Sequence, residues 1–233
     1  MTDPGPCPSL SNVNSDSLSL PEASHGAQQE RSRRTLERIL VAAEELLRDR
    51  DFDELTMADL AAGAGCAVGT LYRRIPDKES LLACLYERLQ VDARTRTEAA
   101  FRAAAALDLE GRVRALCALL VEVMVEHRGV NRAVSLHLWS RAGEGADDFR
   151  RAMTASFRLA VDFAAACADE IDHPDPRAAV EFGLLTVFTM AQDRLVFGDR
   201  SGLRRRYAAG TLEKELGRLL LGYLCRPFPR RKA

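Results

Sequence analysis

Apolar residues recur at helical spacing along most of this chain. Leu36, Ile39, Leu40, Ala43, Leu46 and Leu47 form the stripe of a strongly amphipathic first helix. Met57, Leu60, Ala61 and Ala64 mark a short second helix, and Val68, Leu71 and Ile75 point inward from a third over 66–74. Leu81, Leu82, Leu85 and Leu89 begin a long helix predicted over 77–106. Val113, Leu116, Leu120, Met124 and His127 share one face of the next, and a shorter helix carries Val134, Leu138 and Trp139. Phe149, Met153, Phe157, Ala160, Ala164 and Cys167 are in register over 147–171. Apolar residues point all round the segment 176–197, as in a helix buried on more than one side. Leu212, Leu216, Leu219, Leu220 and Tyr223 stripe a last helix over 211–224. The pattern predicts an all-α chain of about nine helices.

Helix boundaries are written in polar residues, glycine and proline. Thr56 with Asp59 three residues on predicts a capped start for the second helix. Gly63 and Gly65 end it, with a glycine near 65 free to take a positive φ. Asp77 is placed to cap the long helix, and the run Asp172-His173-Pro174-Asp175-Pro176 is a clear stop. Residues 1–29 are rich in Ser, Pro, Asn and Gly and have no basic residue, so they read as a disordered tail. Residues 226–233 read as a basic solvated end.

Two short helices joined by a glycine turn, over 55–74, make a helix-turn-helix pattern, whose second helix lies in the DNA major groove. The glycines also raise a dinucleotide-binding fingerprint. That motif needs a β-strand before it, and the residues there are helical in period and Ala-rich.

The same stretch resembles the N-terminal domain of the TetR family of bacterial transcriptional regulators. The matching residues are Ala43, Leu46 and Leu47, then Leu55-Thr56, Leu60-Ala61, Ala64-Gly65, Gly69-Thr70-Leu71-Tyr72, Lys78-Glu79 and Leu81-Leu82. The resemblance implies a three-helix DNA-binding head over 30–90 and a helical ligand-binding and dimerisation body over 91–225. It implies phosphate contacts by Arg33, Arg34, Thr56, Tyr72, Arg74 and Lys78, donors of the kind that fix a protein on DNA. Base edges fall to what the recognition helix exposes, namely Val68, Gly69, Thr70 and Arg73. Three positions depart from the family pattern. Ala67 stands where a capping Ser or Thr is usual, at a cost of about 1 kcal/mol. Arg74 stands for His or Tyr, and Ile75 for Phe.

Charge narrows the picture. The formal net charge is −1, so DNA contact must rest on basic residues gathered on one face, such as Arg31, Arg33, Arg34 and Arg38. Six cysteines lie scattered with no CxxC pair, which suits reduced thiols and a cytoplasmic protein. No signal peptide is visible, and the longest apolar run, 115–121, is far too short to span a bilayer.

The expected partners are double-stranded DNA at a near-palindromic operator, a second copy of the chain, and an unidentified small-molecule effector. Candidate effector residues are Met124, His127, His137, Trp139 and Phe157; candidate interface residues are Phe182, Leu185, Phe188, Leu216, Leu220 and Tyr223. The two histidines lack metal-site spacing and no cysteine accompanies them, so neither metal nor cofactor is expected. No GxSxG, HExxH or Walker lysine points to an enzyme. The reading is a regulator, a repressor released by its effector. The alternative is a helical ligand-binding or interaction protein whose head no longer binds DNA.

Overall fold

The structure, a computed structural model, describes residues 22–137, 144–198 and 208–225. These hold nine α-helices and no strand: α1 Glu22–Leu46, α2 Met57–Gly63, α3 Val68–Tyr72, α4 Lys78–Ala104, α5 Leu109–Glu126, α6 Arg128–His137, α7 Glu144–Ala165, α8 Pro176–Ala191 and α9 Ala209–Leu224. The chain divides into two compact units. The cut falls after Leu89, within α4, and α6 from Gly129 onward groups with the first unit. This differs from the expected single body over 91–225, because the contacts of α6 are with the first unit.

In the first unit, the head, α1 to α3 and the start of α4 close around Ile39, Ala43, Leu55, Leu60, Leu71, Ile75, Leu81 and Leu85, all essentially fully buried. Each such Leu or Ile contributes about 1.5–3 kcal/mol by leaving water. Ile75, the replacement for an aromatic residue, is closed off from solvent like its neighbours. Arg88 of α4 ion-pairs with Glu37 and, at 3.0 Å, with Glu44 of α1. From α6, Val130, Ala133 and Val134 are buried.

α1 corrects the expected tail, because it begins at Glu22 rather than after residue 29. Beyond Pro21 the stretch Glu22, Ala23, Ala27, Gln28, Gln29 consists mostly of helix formers. Extending a helix backward from an established amphipathic segment costs far less than starting one. The remainder of that tail, and the basic end 226–233, lie outside the described residues.

The second unit, the body, is built on α5, which packs against α8 and α9, with α8 also against α9. Its core gathers Val113, Leu116, Cys117, Val121 and Met124 of α5, Val161 and Ala164 of α7, Val180, Leu184 and Val187 of α8, and Leu212, Leu216, Leu220 and Leu224 of α9. Arg112 closes the loop after α4, donating to the Ala105 and Leu107 carbonyls while its guanidinium lies 4.9 Å from the centre of the Phe163 ring. Phe163 stacks flat on Phe101 at 4.0 Å. The long helix expected over 176–197 is α-helical only to Ala191 and continues as a π-turn, Gln192–Phe197, ending at Gly198 with φ +68°.

Cys66, Cys117, Cys167 and Cys225 are free thiols, whereas Cys84 is disulfide-bonded, against the expectation of reduced thiols throughout.

Candidate nucleic-acid interface

α2 and α3 are set by local chemistry. Thr56 takes an extended conformation and caps α2: its hydroxyl accepts from the Asp59 N–H at 3.1 Å. The Asp59 carboxylate answers by accepting from the Thr56 hydroxyl at 2.7 Å and from its N–H at 3.3 Å. Those hydrogen bonds from Thr56, with the Arg50 charge 3.6 Å away, hold the Asp59 carboxyl below its ordinary value. At the other end, the Cys66 N–H donates to the Ala61 carbonyl and the Gly65 N–H to the Ala62 carbonyl, with Gly65 at φ +59°. This is the Schellman arrangement, which favours glycine at that site.

α3 runs only from Val68 to Tyr72, shorter than the 66–74 expected. Ala67 is extended and has no side chain to cap the helix. Beyond Tyr72 the chain must reach Pro76, and a residue before proline is driven out of the helical region. Leu71 is the helix's fully buried anchor. On the opposite side Val68 (43% exposed), Gly69, Tyr72 (48%) and Arg73 form one open face. Thr70 sits half-buried at its edge and accepts a hydrogen bond from Arg73 at 3.1 Å.

The expected phosphate donors are placed differently from one another. Tyr72 is open to solvent. Arg33 and Arg34 are exposed and pair with Glu30 at 3.0 and 2.9 Å. Their contacts, the Arg34 hydrogen bond foremost, hold the Glu30 carboxyl below its ordinary value. Arg74 turns back to the Ser32 hydroxyl of α1, and its Nε is buried without a hydrogen-bond partner. Lys78 donates to the Asp53 carbonyl at 3.1 Å and lies over the Phe52 ring. The hydroxyl and N–H of Thr56 are both taken up by Asp59, so the cap is the role its geometry fits. Arg38 belongs to the basic run at the start of the first helix stripe. Its guanidinium lies 4.0 Å from where a Cβ on Gly65 would stand, over the turn itself.

The described ones among the expected effector residues are divided between the two units. Met124 is core, and Phe157 is partly buried against that core. The His127 ring nitrogen lies 2.9 Å from Asp92. His137 belongs to the head, tilted against Phe52. Trp139 lies outside the described residues. A cleft of about 400 Å³ opens instead between α5 and α9, lined by Ala118, Val121, Glu122, Val125 and Glu126 with Ala209, Gly210 and Glu213. Its signal was present in α5 as apolar and acidic residues alternating on one helical face. Of the expected interface residues, Leu216 and Leu220 are 1% exposed and belong to the body's own core. The open faces of α8 and α9 carry Phe182, Leu185 and Met190, and Leu219 and Tyr223.

Residues 39–85 match the family described as bacterial regulatory proteins, tetR family. The likeness to that family is thus carried by the head, α1 to the start of α4. Over 95 residues it is 34% identical to the HTH-type transcriptional regulator EthR of Mycobacterium tuberculosis, covering 41% of this chain and 44% of that protein. The chain thus spans under half the length of the curated relatives it matches. Two solved structures extend the likeness in fold over most of the chain. One is a tetR-family regulatory protein from Rhodococcus RHA1, with TM-score 0.59 and 22% identity over 82% of this chain and 98% of the other. The second is the fatty acid degradation regulator FadR from Bacillus halodurans, with TM-score 0.63 and 17% identity over 85% and 97%. At these identities they speak for the all-α fold of head and body. No helix among the described residues is long and apolar enough to cross a membrane.

Proposed function

We propose that this chain is a DNA-binding transcriptional regulator, a cytoplasmic repressor that a small-molecule effector releases from its operator. The observation that carries the reading is the open face of α3. Its centre is glycine, and its rim offers a threonine, a tyrosine and an arginine, side chains that suit a hydrated, phosphate-lined groove. A Cβ built on Gly69 meets no heavy atom within 4 Å, so nothing inside the protein demands a glycine there. Close approach to a groove would demand it.

Reading a near-palindromic site takes two such helices, about 34 Å apart, one per subunit of a two-fold dimer. The apolar residues left open on α8 and α9 support that assembly. Phe182 and Tyr223 meet ring to ring at 5.6 Å across the two helices, forming one patch that needs a dry partner. EthR is a transcriptional regulator and FadR a regulator of fatty acid degradation, in agreement with this class.

Selection of bound duplexes from a random pool tests the reading. A two-fold symmetric site is expected, with affinity falling about a thousandfold or more between about 50 and 200 mM salt as counterions are released. Retention of no sequence, or binding indifferent to salt, would overturn it.

A further inference from the structure

Within the head, α6 is seated on the short segment between α1 and α2, and the same segment holds Lys78. Arg132 of α6 grips Asp51 with both terminal nitrogens, at 2.8 and 3.2 Å. His137 lies with its ring 5.0 Å from that of Phe52 and its Nε2 3.4 Å from Asp53. The Lys78 ammonium lies 4.9 Å from the centre of the same Phe52 ring and donates to the Asp53 carbonyl at 3.1 Å. Phe52 is thus a buried ring touched by both a lysine at the start of α4 and a histidine at the end of α6. The seat is tight: a Cβ on Gly129, in the first turn of α6, would stand 2.2 Å from the Leu47 carbonyl oxygen.

An ammonium has three donors, and the Asp53 carbonyl takes one. A lysine held by one carbonyl and one ring face keeps the rest of its donors while losing much of its rotamer freedom. We propose that α6 is a positioning element for DNA binding: through Arg132, His137 and Phe52 it fixes the 51–53 segment as a perch that presents Lys78 to a phosphate. The inference rests on the proposed function and adds to it a set of residues that touch no DNA themselves. Seated, α6 supplies a pre-ordered phosphate contact; lifted, it leaves Lys78 on a loose segment, and that contact drops out of the binding equilibrium.

The test is the salt dependence of binding to one selected duplex, measured for the full-length chain and for Lys78→Gln, Phe52→Leu, Arg132→Ala, His137→Ala, His137→Phe and Gly129→Ala, each checked by melting. Lys78→Gln is expected to lower the slope of log affinity against log salt by about 1 per head. Phe52→Leu, Arg132→Ala, His137→Ala and Gly129→Ala should lower it by a similar amount in proteins that remain folded. Combining any of them with Lys78→Gln should lower it no further. His137→Phe keeps a ring against Phe52 and should restore most of the slope. Variants that bind more weakly with an unchanged slope would overturn the proposal and leave the regulator reading standing. A wild-type chain with no salt-dependent DNA binding would instead overturn that reading itself.

Discussion

The outward side of α3 and the outward sides of α8 and α9 are built alike and finished differently. Both regions bury an inner face completely, on Leu71 in one and on Leu216 and Leu220 in the other. What they leave in solvent separates them. α3 and the Arg73 that follows it show one valine, Val68, beside Gly69, Tyr72 and Arg73, with Thr70 half-buried at the edge. α8 and α9 show Phe182, which is 62% exposed, with Leu185, Met190, Leu219 and Tyr223. Exposure by itself does not say what comes to cover a surface. A face of donors around a glycine is matched to a charged, hydrated polymer, and a face of large apolar side chains to another apolar face.

The largest effect that separates the two faces is on assembly. Replacing Phe182 and Leu185 together by Asp is expected to cost the dimer about 2 kcal/mol or more per residue. Sedimentation equilibrium is expected to show a dimer for the wild type and monomers for the variant, with the melting of the monomer little changed. A dimer that survives both changes would break the comparison, since that face would not be the covered one.

Next in size is Arg73→Ala on the other face. It is expected to cost about 1–3 kcal/mol of affinity for the selected duplex and to relax its sequence preference, with assembly unchanged. Equal losses on specific and random duplexes would reassign Arg73 to the phosphates.

Ala67→Ser restores a cap to α3 and is expected to raise stability by about 1 kcal/mol, read from chemical unfolding. No gain would mean that the start of α3 is already satisfied in another way.

The smallest effect is on pH dependence. In the body, burial pushes the Asp92 carboxyl up, but hydrogen bonds from His127 and Arg96 outweigh that and hold it below its ordinary value. A depressed carboxyl stabilises the fold above its unfolded pKa, and the contribution is lost as pH falls through the lowered folded value. Asp92→Asn should therefore flatten the acid limb of the stability curve below the usual carboxylate range and leave the neutral limb parallel to wild type. An unchanged acid limb would show that Asp92 does not carry the linkage.

What the sequence makes legible in these regions is what is local. The Thr56 cap with Asp59, the positive φ at Gly65 and the inward Leu60 and Leu71 each depend on residues a few positions apart, and each is found as read. Partners far along the chain leave no such trace. Arg74 with Ser32, Lys78 with Asp53 and Arg132 with Asp51 are separated by 42, 25 and 81 positions. The grouping of α6 with the head belongs to the same class. Leu216 and Leu220 show a further limit. Helical period identifies an apolar stripe but does not say whether the stripe meets its own core or a second copy. Only its neighbours Leu219 and Tyr223 prove to be open.

The claim that α3 approaches a nucleic-acid groove is tested most directly by Gly69→Ala, read twice in the same protein, by chemical unfolding and by binding to the selected duplex. Free space around Gly69 means the added methyl should stabilise the helix by about 0.5–1 kcal/mol. The predicted result is a more stable protein that binds its duplex several-fold more weakly. A variant that gains stability and binds as tightly as the wild type would contradict the account, because the one residue left small for DNA would then have no DNA against it.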